Sequence, residues 1–362
     1  MKVCGVTYTH SPNYGTCLQA YALGTAIRGI ETGGEPCEYE VIPVQMLKDY
    51  PINGLADVVI KPFLWWCRLP FRKFYKEKMK YAPVSYLKQL PSLNDRFDAF
   101  ICGSDVIWSQ NFNKGVKAYF LDFATKYKFA YAASFGRADI SKPYLDMIRP
   151  LVDRLDSIAV REQSGVEITH RCTDKPVETV ADPVLLLDRK KWEAVATERR
   201  DRKPYIFVYV THINEEINGF VKKLKRQTGL KCVWTVSGPK QAIKKGILQL
   251  QSPQRWLRGL MDAEYVVTNS FHATAFSVLF HKKFFTVVHG EKGQGINVRM
   301  NDFLNSMELE DRIFSAVPET IDLNEIQFSE ADKKIEALRQ KSLDYLQTNL
   351  EKAYDETHRA RM

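Results

Sequence analysis

The sequence lacks several patterns that would each assign a function class. It contains no H-E-x-x-H, G-x-S-x-G or P-loop motif, which argues against metalloproteases, α/β-hydrolases and P-loop nucleotidases. No G-x-G-x-x-G follows the first apolar run, so dinucleotide binding is not expected. No nucleic-acid-binding motif is present either, so a nucleic-acid partner is not expected.

The chain is also poor in the features of disulfide-rich, zinc-binding and membrane-spanning proteins. Its seven cysteines are scattered and none forms a C-x-x-C pair, which argues against a disulfide framework or a structural zinc site. No apolar run reaches 18 residues, and the opening MKVCGVTYTH resembles a first strand rather than a signal peptide. We therefore expect a cytoplasmic protein.

The composition is that of a globular protein, with 45% apolar and 26% charged residues in 362. This length allows two domains with complete cores. The formal net charge of +9 suits anionic substrates or an anionic surface.

Apolar runs that predict strands alternate with periodic segments that predict helices, in two successive sets. The first set occupies residues 1–195 and ends with a predicted strand at 177–188, and the polar stretch 196–204 predicts a linker. The second set occupies residues 205–328. The charged segment 329–362 predicts a C-terminal helix that packs back on the first domain. The predicted fold class is α/β, with two Rossmann-like domains facing a cleft.

A basic, aromatic-rich insertion interrupts the first set at residues 48–97. Within it, residues 61–80 mix tryptophan, phenylalanine and leucine with lysine and arginine. Such a segment suits docking on an anionic membrane. The alternative interpretation is a surface helix whose aromatic side chains meet the core.

The most informative stretch is VTNSFHATAFSVLF, residues 267–280. It predicts a strand that ends at Thr-Asn-Ser and a helix with His272 in its first turn. Such a corner directs backbone N–H groups and the positive end of the helix dipole at one point, which suits an anion near Ser270. His272 could donate to that anion or move a proton.

Cationic side chains follow other predicted strands. Arg161 ends the strand SIAVRE, where a guanidinium can clamp a phosphate or carboxylate, and the alternative is an ion pair with Glu162 or a neighbour. Ser164 is expected to cap the next helix. Lys292 lies in the glycine-rich loop HGEKGQG, which suits closure on a phosphate. Arg299 is a further cationic candidate.

Two polar turns complete the set of candidate clusters. The tripeptide Asn13-Tyr14-Gly15 predicts a tight strand–helix turn whose backbone approaches a ligand closely. The turn Gly103-Ser104-Asp105 follows an apolar strand, and Asp105 could accept a hydrogen bond from a sugar hydroxyl while Trp108 stacks on the ring. The alternatives are that Asp105 caps the next segment and that Trp108 belongs to the core.

An ordered set of motifs resembles the polysaccharide pyruvyl transferase family. The motifs are SPNYGTCLQAYAL (11–23), FICGSDVIWS (100–109), AYAASFG (130–136), AVREQSG (159–165), VADPVLLL (180–187) and the 267–280 stretch, and the resemblance spans roughly residues 1–310. It implies a glycosyltransferase-B-like fold with two domains. It also implies transfer of the enolpyruvyl unit of phosphoenolpyruvate onto two sugar hydroxyls as a ketal, with release of phosphate.

The resemblance assigns roles to individual residues. Arg161 matches the family's anion-binding arginine, Ser270 and His272 match its Ser-x-His motif, and Lys292 best matches its downstream lysine, with Lys282 and Lys283 as alternatives. His272 and Asp105 are the expected catalytic residues. The expected donor-binding residues are Arg161, Ser164, Ser270, Lys292 and Arg299, and the expected acceptor-binding residues are Asn13, Tyr14, Gly103, Ser104 and Trp108.

On this interpretation the first domain binds the acceptor and the second binds the donor. Phosphoenolpyruvate is a co-substrate, and neither a cofactor nor a metal is expected. A nucleotide-sugar-dependent glycosyltransferase of the same fold is the alternative, and a non-catalytic sugar- or anion-binding protein is the second. The sugar, its linkage and its attachment to lipid stay open. A lipid-linked acceptor would give the basic aromatic segment a membrane contact on the cytoplasmic face.

Overall fold

The structure is a computed structural model that describes residues 1–9, 11–48, 61–111, 117–199, 203–246, 250–288 and 298–359. For residues 61–65, 67, 239 and 240 it describes the backbone alone.

A parallel six-stranded sheet organises the first half of the described chain. Its order is β4-β1-β5-β6-β7-β8, and Val3 of β1 lies between Tyr39 of β4 and Ala99 of β5. The strands are β1 (Lys2–Val6), β4 (Glu38–Ile42), β5 (Ala99–Cys102), β6 (Lys128–Ala133), β7 (Ser157–Val160) and β8 (Val177–Thr179), and a hairpin of β2 (Glu31–Thr32) and β3 (Glu35–Pro36) precedes β4. The helices are α1 (Tyr14–Arg28), α2 (Lys61–Lys78), α3 (Lys142–Val152), α4 (Gln163–His170) and α5 (Arg189–Val195).

A second parallel sheet, with five strands described, follows in the order β10-β9-β11-β12-β13. Its strands are β9 (Tyr205–Val210), β10 (Lys231–Val236), β11 (Tyr265–Thr268), β12 (Lys283–Val287) and β13 (Ile313–Phe314). Its helices are α6 (Glu215–Thr228), α7 (Gly238–Lys245), α8 (Pro253–Met261), α9 (Phe271–Leu279) and α10 (Val298–Ser306). The long helix α11 covers Ser329–Arg359.

Helix α1 joins the two halves. Asn13 caps it, since its side chain accepts from the N–H of Thr16 at 3.3 Å. Most of its faces are buried, which is typical of a helix inside a core rather than on a surface. One apolar cluster contains Tyr14 and Leu18 of α1 together with Phe207 of the second sheet, so α1 packs against both halves.

The predicted strand at 177–188 is wrong in its length. Strand β8 ends at Thr179, and a short 3-10 helix at Pro183–Leu185 follows. Asp182 causes this break because its side chain accepts from the N–H of Val184 at 3.1 Å, and Pro183 has no N–H for a strand ladder. The break directs the Asp182 side chain into the protein.

Helix α11 packs against the first sheet. Its residues Tyr345, Leu346, Leu350 and Ala353 are buried in one cluster with strand residues of that sheet, and the Tyr345 hydroxyl donates to the carbonyl of Ala130 at 2.9 Å. None of the helices in the described chain is long and apolar enough to cross a membrane.

Helix α2 belongs to the basic aromatic segment. Its aromatic residues Phe71, Phe74 and Tyr75 are buried, and Phe71 packs on Tyr14 of α1 with ring centroids 4.9 Å apart. Trp66 is 46% exposed. These three buried rings fit the interpretation of a helix whose aromatic side chains meet the core.

Candidate active site

A cleft of about 580 Å³ lies where the carboxyl ends of the two sheets meet. Thr9 and Asp105 reach it from beyond β1 and β5, while Thr211 and Asn269 reach it from beyond β9 and β11. Parallel sheets place their ligand sites at this edge. The remaining lining residues are Tyr8, Ser11, Asn13, Thr16, Gln45, Arg68, Val106, His212, Ser270, Phe271, His272, Arg299 and Met300.

His272 lies in the first turn of α9, in the wall of this cleft, and is 6% exposed. Gly15, in the first turn of α1, packs directly on its ring. A Cβ at Gly15 would lie 2.1 Å from Nδ1 of His272, so only glycine fits this contact. The tripeptide Asn13-Tyr14-Gly15 predicts a backbone that approaches a ligand, whereas in the structure Gly15 approaches the histidine.

Asp182 links the histidine to the first sheet. Its Oδ2 accepts from Nη1 of Arg161 at 2.7 Å and from the Ser104 hydroxyl at 3.1 Å, and it lies 3.5 Å from Nε2 of His272. Burial alone would raise the pKa of Asp182, but His272 and Arg161 offset this effect and hold that pKa below its ordinary value. Asp182 is therefore a carboxylate that orients three polar side chains.

Arg161 is buried between two carboxylates. Besides Asp182 it contacts Glu162, whose Oε2 lies 3.2 Å from Nε of Arg161 and whose Oε1 accepts from the Ser134 hydroxyl. Its guanidinium carbon lies 4.4 Å from the ring centroid of Phe271. Burial would lower the pKa of Arg161, but Glu162, Asp182 and Asp105 raise it above the ordinary value. Nε and Nη1 of Arg161 thus form ion pairs, as the alternative interpretation of the sequence expected. Nη2 is buried without a hydrogen-bond partner in the described chain.

A smaller cavity of about 210 Å³ adjoins Arg161, and Arg299 and Phe271 line both cavities. Nε of Arg299 is also buried without a hydrogen-bond partner among the residues described. Burial, and next the charge of Arg161, lower the pKa of Arg299. Asp302 lines this cavity as well, and burial followed by Glu162 raises its pKa. Arg161 and Arg299, each with one buried N–H group that has no described partner, therefore line the same small cavity.

Asp105 lies on the cleft wall with an unusual backbone. Its φ is 75°, a left-handed value that few residues other than glycine adopt. Its Oδ2 accepts from the Thr16 hydroxyl at 2.6 Å and its Oδ1 accepts from the N–H of Val106 at 2.9 Å. Asp105 thus holds α1 against β5 as well as facing the cleft.

The prediction that Tyr14 and Trp108 bind the acceptor is wrong because both rings lie in the core. Tyr14 is 0% exposed, stacks on Trp256 at 5.1 Å, and donates its hydroxyl to the carbonyl of Gln251 at 3.3 Å. Trp108 is also 0% exposed, stacks on Phe120 at 5.3 Å, and lies outside the cleft lining. Neither ring is available to a sugar.

The other expected acceptor residues divide between the cleft and its support. Asn13 lines the cleft, next to the cap that it forms on α1. Gly103 does not line the cleft and packs against Leu23, 2.7 Å from the position of its missing Cβ. Ser104 is buried and donates to Asp182, so it supports the site from behind.

The remaining donor candidates have different positions. Ser270 lines the cleft at the N-cap of α9, where the first-turn N–H groups have no partner within the helix. The Ser164 hydroxyl is buried without a described partner and does not cap α4. Lys292 lies outside the described residues. Lys282 donates to the carbonyl of Met261, and Lys283 pairs with Glu325, so neither of these lysines reaches the cleft.

Sequence reasoning missed several cleft and support residues. Asp182 lies inside an apolar run, and the Asp-Pro pair was the only available signal of a turn. Arg68 and Gln45 reach the cleft from the region around the basic aromatic insertion, where no motif marks them. Asn269 holds the loop after β9, accepting from the N–H of Thr211 at 2.8 Å.

This fold and this cleft define an α/β protein of the glycosyltransferase-B-like class, with two Rossmann-like sheets that face each other. The chain belongs to the polysaccharide pyruvyl transferase family, whose model matches residues 45–291. This membership confirms the resemblance and supports a transferase with a role in polysaccharide biosynthesis. No curated protein matches the chain.

Solved structures with the same fold include enzymes that act on nucleotide sugars. The chain is similar to MnaA of S. aureus, in a co-structure with UDP, at 13% identity and a TM-score of 0.50, with 94% of this chain and 90% of that chain covered. It is also similar to a UDP-N-acetylglucosamine 2-epimerase, so described provisionally, from Listeria monocytogenes, at 10% identity and a TM-score of 0.53, with 98% and 97% covered. At these identities the likeness supports the fold alone.

Proposed function

We propose that the cleft transfers the enolpyruvyl group of phosphoenolpyruvate onto two hydroxyls of a sugar or glycan acceptor, as a ketal, with release of phosphate. The observation that carries this proposal is the pair of buried arginine donors without described partners, Nη2 of Arg161 and Nε of Arg299, close to His272. Phosphoenolpyruvate has two anionic groups that can accept from them. The family membership supplies the reaction class.

The donor candidates come from both halves of the chain. Arg161 follows β7 of the first sheet, while Ser270, His272 and Arg299 belong to the second half. Because Glu162 and Asp182 already balance the charge of Arg161, this arginine contributes a directed N–H group rather than net charge. Arg299 contributes charge, and the N-terminus of α9 contributes N–H groups.

The reaction balances with two hydroxyls as the proton source. The methylene carbon of phosphoenolpyruvate gains a proton and becomes a methyl group, and the central carbon forms bonds to two sugar oxygens. The carbon–oxygen bond to phosphate breaks. One hydroxyl proton ends on the methyl group and the other on the phosphate. His272 is the group that moves protons in this scheme, Asp182 orients its ring, and Asp105 faces the acceptor.

The test is thermal unfolding with phosphoenolpyruvate, in parallel with UDP- and GDP-sugars. A ligand at a hundred times its dissociation constant stabilises the folded protein by about 2.7 kcal/mol. Phosphoenolpyruvate should do so for the unsubstituted protein and for His272→Ala, but far less for Arg299→Gln. The matched control is Arg255→Gln, because Arg255 is exposed and lines a different cavity.

Activity is measured as transfer of label from radiolabelled phosphoenolpyruvate into glycan of an extract from the source organism. His272→Ala should reduce this transfer by a factor of about 100 to 10,000, which is the usual range for a general acid or base. The proposal fails if phosphoenolpyruvate leaves the unsubstituted protein unstabilised while a nucleotide sugar stabilises it.

A further inference from the structure

Arg68 is the second arginine in the described lining of the cleft, besides Arg299. It lies on α2, lines the cleft, and has a buried Nε with no hydrogen-bond partner among the described residues. Resting on the proposed function, we propose that Arg68 binds a phosphate group of the acceptor, which is therefore a sugar joined to a phosphate or diphosphate. The phosphate oxygens of such a ligand would accept the hydrogen bond that the buried Nε–H of Arg68 does not make within the described chain.

Packing fixes the position of Arg68. Phe71, one turn further along α2, packs on Tyr14 with centroids 4.9 Å apart, and Phe74 packs on Tyr21 at 5.6 Å. These contacts hold α2 against the start of α1, next to Asn13 on the cleft wall. The backbone at Arg68 is thus held beside the cleft, and Nε of its side chain is buried.

The sheet order separates the strand next to Arg68 from the strand that precedes Arg161. Arg68 lies beside α1, which directly follows β1, whereas Arg161 follows β7. Three strand spacings separate β1 from β7 in the order β4-β1-β5-β6-β7-β8. At about 4.8 Å for each spacing, the two strand ends are roughly 14 Å apart. Because Arg161 and Arg299 already supply donors to the two anionic groups of phosphoenolpyruvate in the proposed function, an anion at Arg68 belongs to another group.

Other polar groups along the cleft suit a sugar. Thr9, Ser11, Gln45 and Thr211 line the cleft with hydroxyl and amide groups that can donate to and accept from sugar hydroxyls. His272 and Asp105 also lie along this stretch. A sugar with its phosphate at Arg68 would therefore extend its hydroxyls toward His272.

The charge around Arg68 favours an anion. The same helix carries the exposed residues Arg72, Lys73 and Lys76, and α7, which contacts α2, carries Lys244 and Lys245. These side chains do not line the cleft, and Lys73 pairs with Glu77, but their excess positive charge raises the local concentration of anionic ligands. Arginine also matches the geometry of phosphate oxygens.

The test titrates inorganic pyrophosphate by calorimetry at saturating phosphoenolpyruvate, which occupies the donor end. Arg68→Gln should weaken pyrophosphate binding by a factor on the order of 10 to 100, the usual effect of a lost charge-assisted hydrogen bond. The matched control Arg72→Gln, one turn away and exposed, should change it less than about twofold. Arg68→Gln should leave phosphoenolpyruvate binding within about twofold of the unsubstituted protein.

Two results would overturn the assignment. One is pyrophosphate binding by Arg68→Gln equal to that of the unsubstituted protein. The other is weakened phosphoenolpyruvate binding in Arg68→Gln, which would place Arg68 in the donor site. Should phosphoenolpyruvate not bind the unsubstituted protein at all, the proposed donor fails separately, and the pyrophosphate titration without it still decides the role of Arg68.

A competition experiment identifies the source of the diphosphate. Farnesyl diphosphate-linked N-acetylglucosamine and UDP-N-acetylglucosamine share the sugar diphosphate but differ in the group attached to its far end. Displacement of pyrophosphate by either compound supports the proposal, and the tighter binder shows whether the acceptor is linked to lipid or to nucleotide. Failure of both to displace it would refute a sugar diphosphate as the ligand of Arg68.

Discussion

Substituting Gly15 tests whether the position of His272 decides the activity. A Cβ built on Gly15 lies 2.1 Å from Nδ1, 2.4 Å from Cγ and 2.7 Å from Cβ of His272. Carbon atoms in contact ordinarily lie about 3.5–4 Å apart, so the backbone of α1 and the imidazole must separate by more than about 1 Å. The ring has little freedom to move because it is 6% exposed and faces Asp182 on its other side.

The two expected effects of Gly15→Ala differ in size. Overpacking costs about 1–3 kcal/mol of folding free energy, and the better helix propensity of alanine offsets up to about 1 kcal/mol of that. The protein should therefore stay folded at room temperature. A displacement of about 1 Å in a catalytic group reduces activity by roughly a hundredfold. Activity should thus fall far more than stability.

The assay combines urea unfolding with transfer of label from radiolabelled phosphoenolpyruvate. Gly29→Ala is the matched control, because Gly29 ends the same helix with a φ of −86° and its nearest contact would be the carbonyl of Ala26 at 3.3 Å. The reasoning is refuted if Gly15→Ala keeps at least half of the activity. It is also refuted if the loss of activity simply follows the fraction unfolded.

Three further predictions concern single side chains. Asp182→Asn should destabilise the fold by about 3–5 kcal/mol at pH 7. Because the pKa of Asp182 is held low, its carboxylate stabilises the folded protein above about pH 4, and this stabilisation is lost as the pH falls. The urea midpoints of the unsubstituted protein and the variant should therefore converge in acid. Asp302→Asn should raise the melting temperature at pH 7 but not near pH 3. Because the pKa of Asp302 is raised in the folded protein, ionisation of this carboxyl destabilises the fold as the pH rises. An unchanged melting temperature at pH 7 would contradict this. Trp108→Ala should lower the free energy of unfolding by about 3–5 kcal/mol and leave the affinity of the folded protein for the acceptor unchanged. A loss of acceptor affinity without a loss of stability would show that Trp108 binds the acceptor.

Much of the fold follows from local sequence signals. Apolar runs between polar turns predicted the two successive sets of strands and helices, because a buried parallel strand needs an uninterrupted apolar segment. The prediction of a single strand at 177–188 was wrong for the same reason, because apolar composition alone does not distinguish a strand from a buried turn. The placement of His272, Arg161 and Asp105 at strand ends was predictable because parallel strands end at one edge.

The rest depends on contacts between distant residues. Asp182 and His272 are separated by 90 positions, and neither residue type predicts the other. The aromatic residues Tyr14 and Trp108 are equally suited to a core and to a sugar platform, so only their burial decides between the two. Arg68 becomes informative only when α2 packs beside α1 and brings its guanidinium to the cleft.

The two buried arginines differ in how their charges are balanced, and this difference gives the site its need for an anion. Arg161 has Glu162 and Asp182 as partners, and its pKa is raised. Arg299 has no ion pair among the described residues, and burial, followed by the charge of Arg161, lowers its pKa, while Glu162, Asp105 and Asp182 offset this only in part. In the folded protein, the cost of burying the Arg299 charge is therefore only partly offset. An anionic group that accepts from Nε of Arg299 would offset more of that cost, which is why Arg299 rather than Arg161 should dominate the dependence of donor binding on charge.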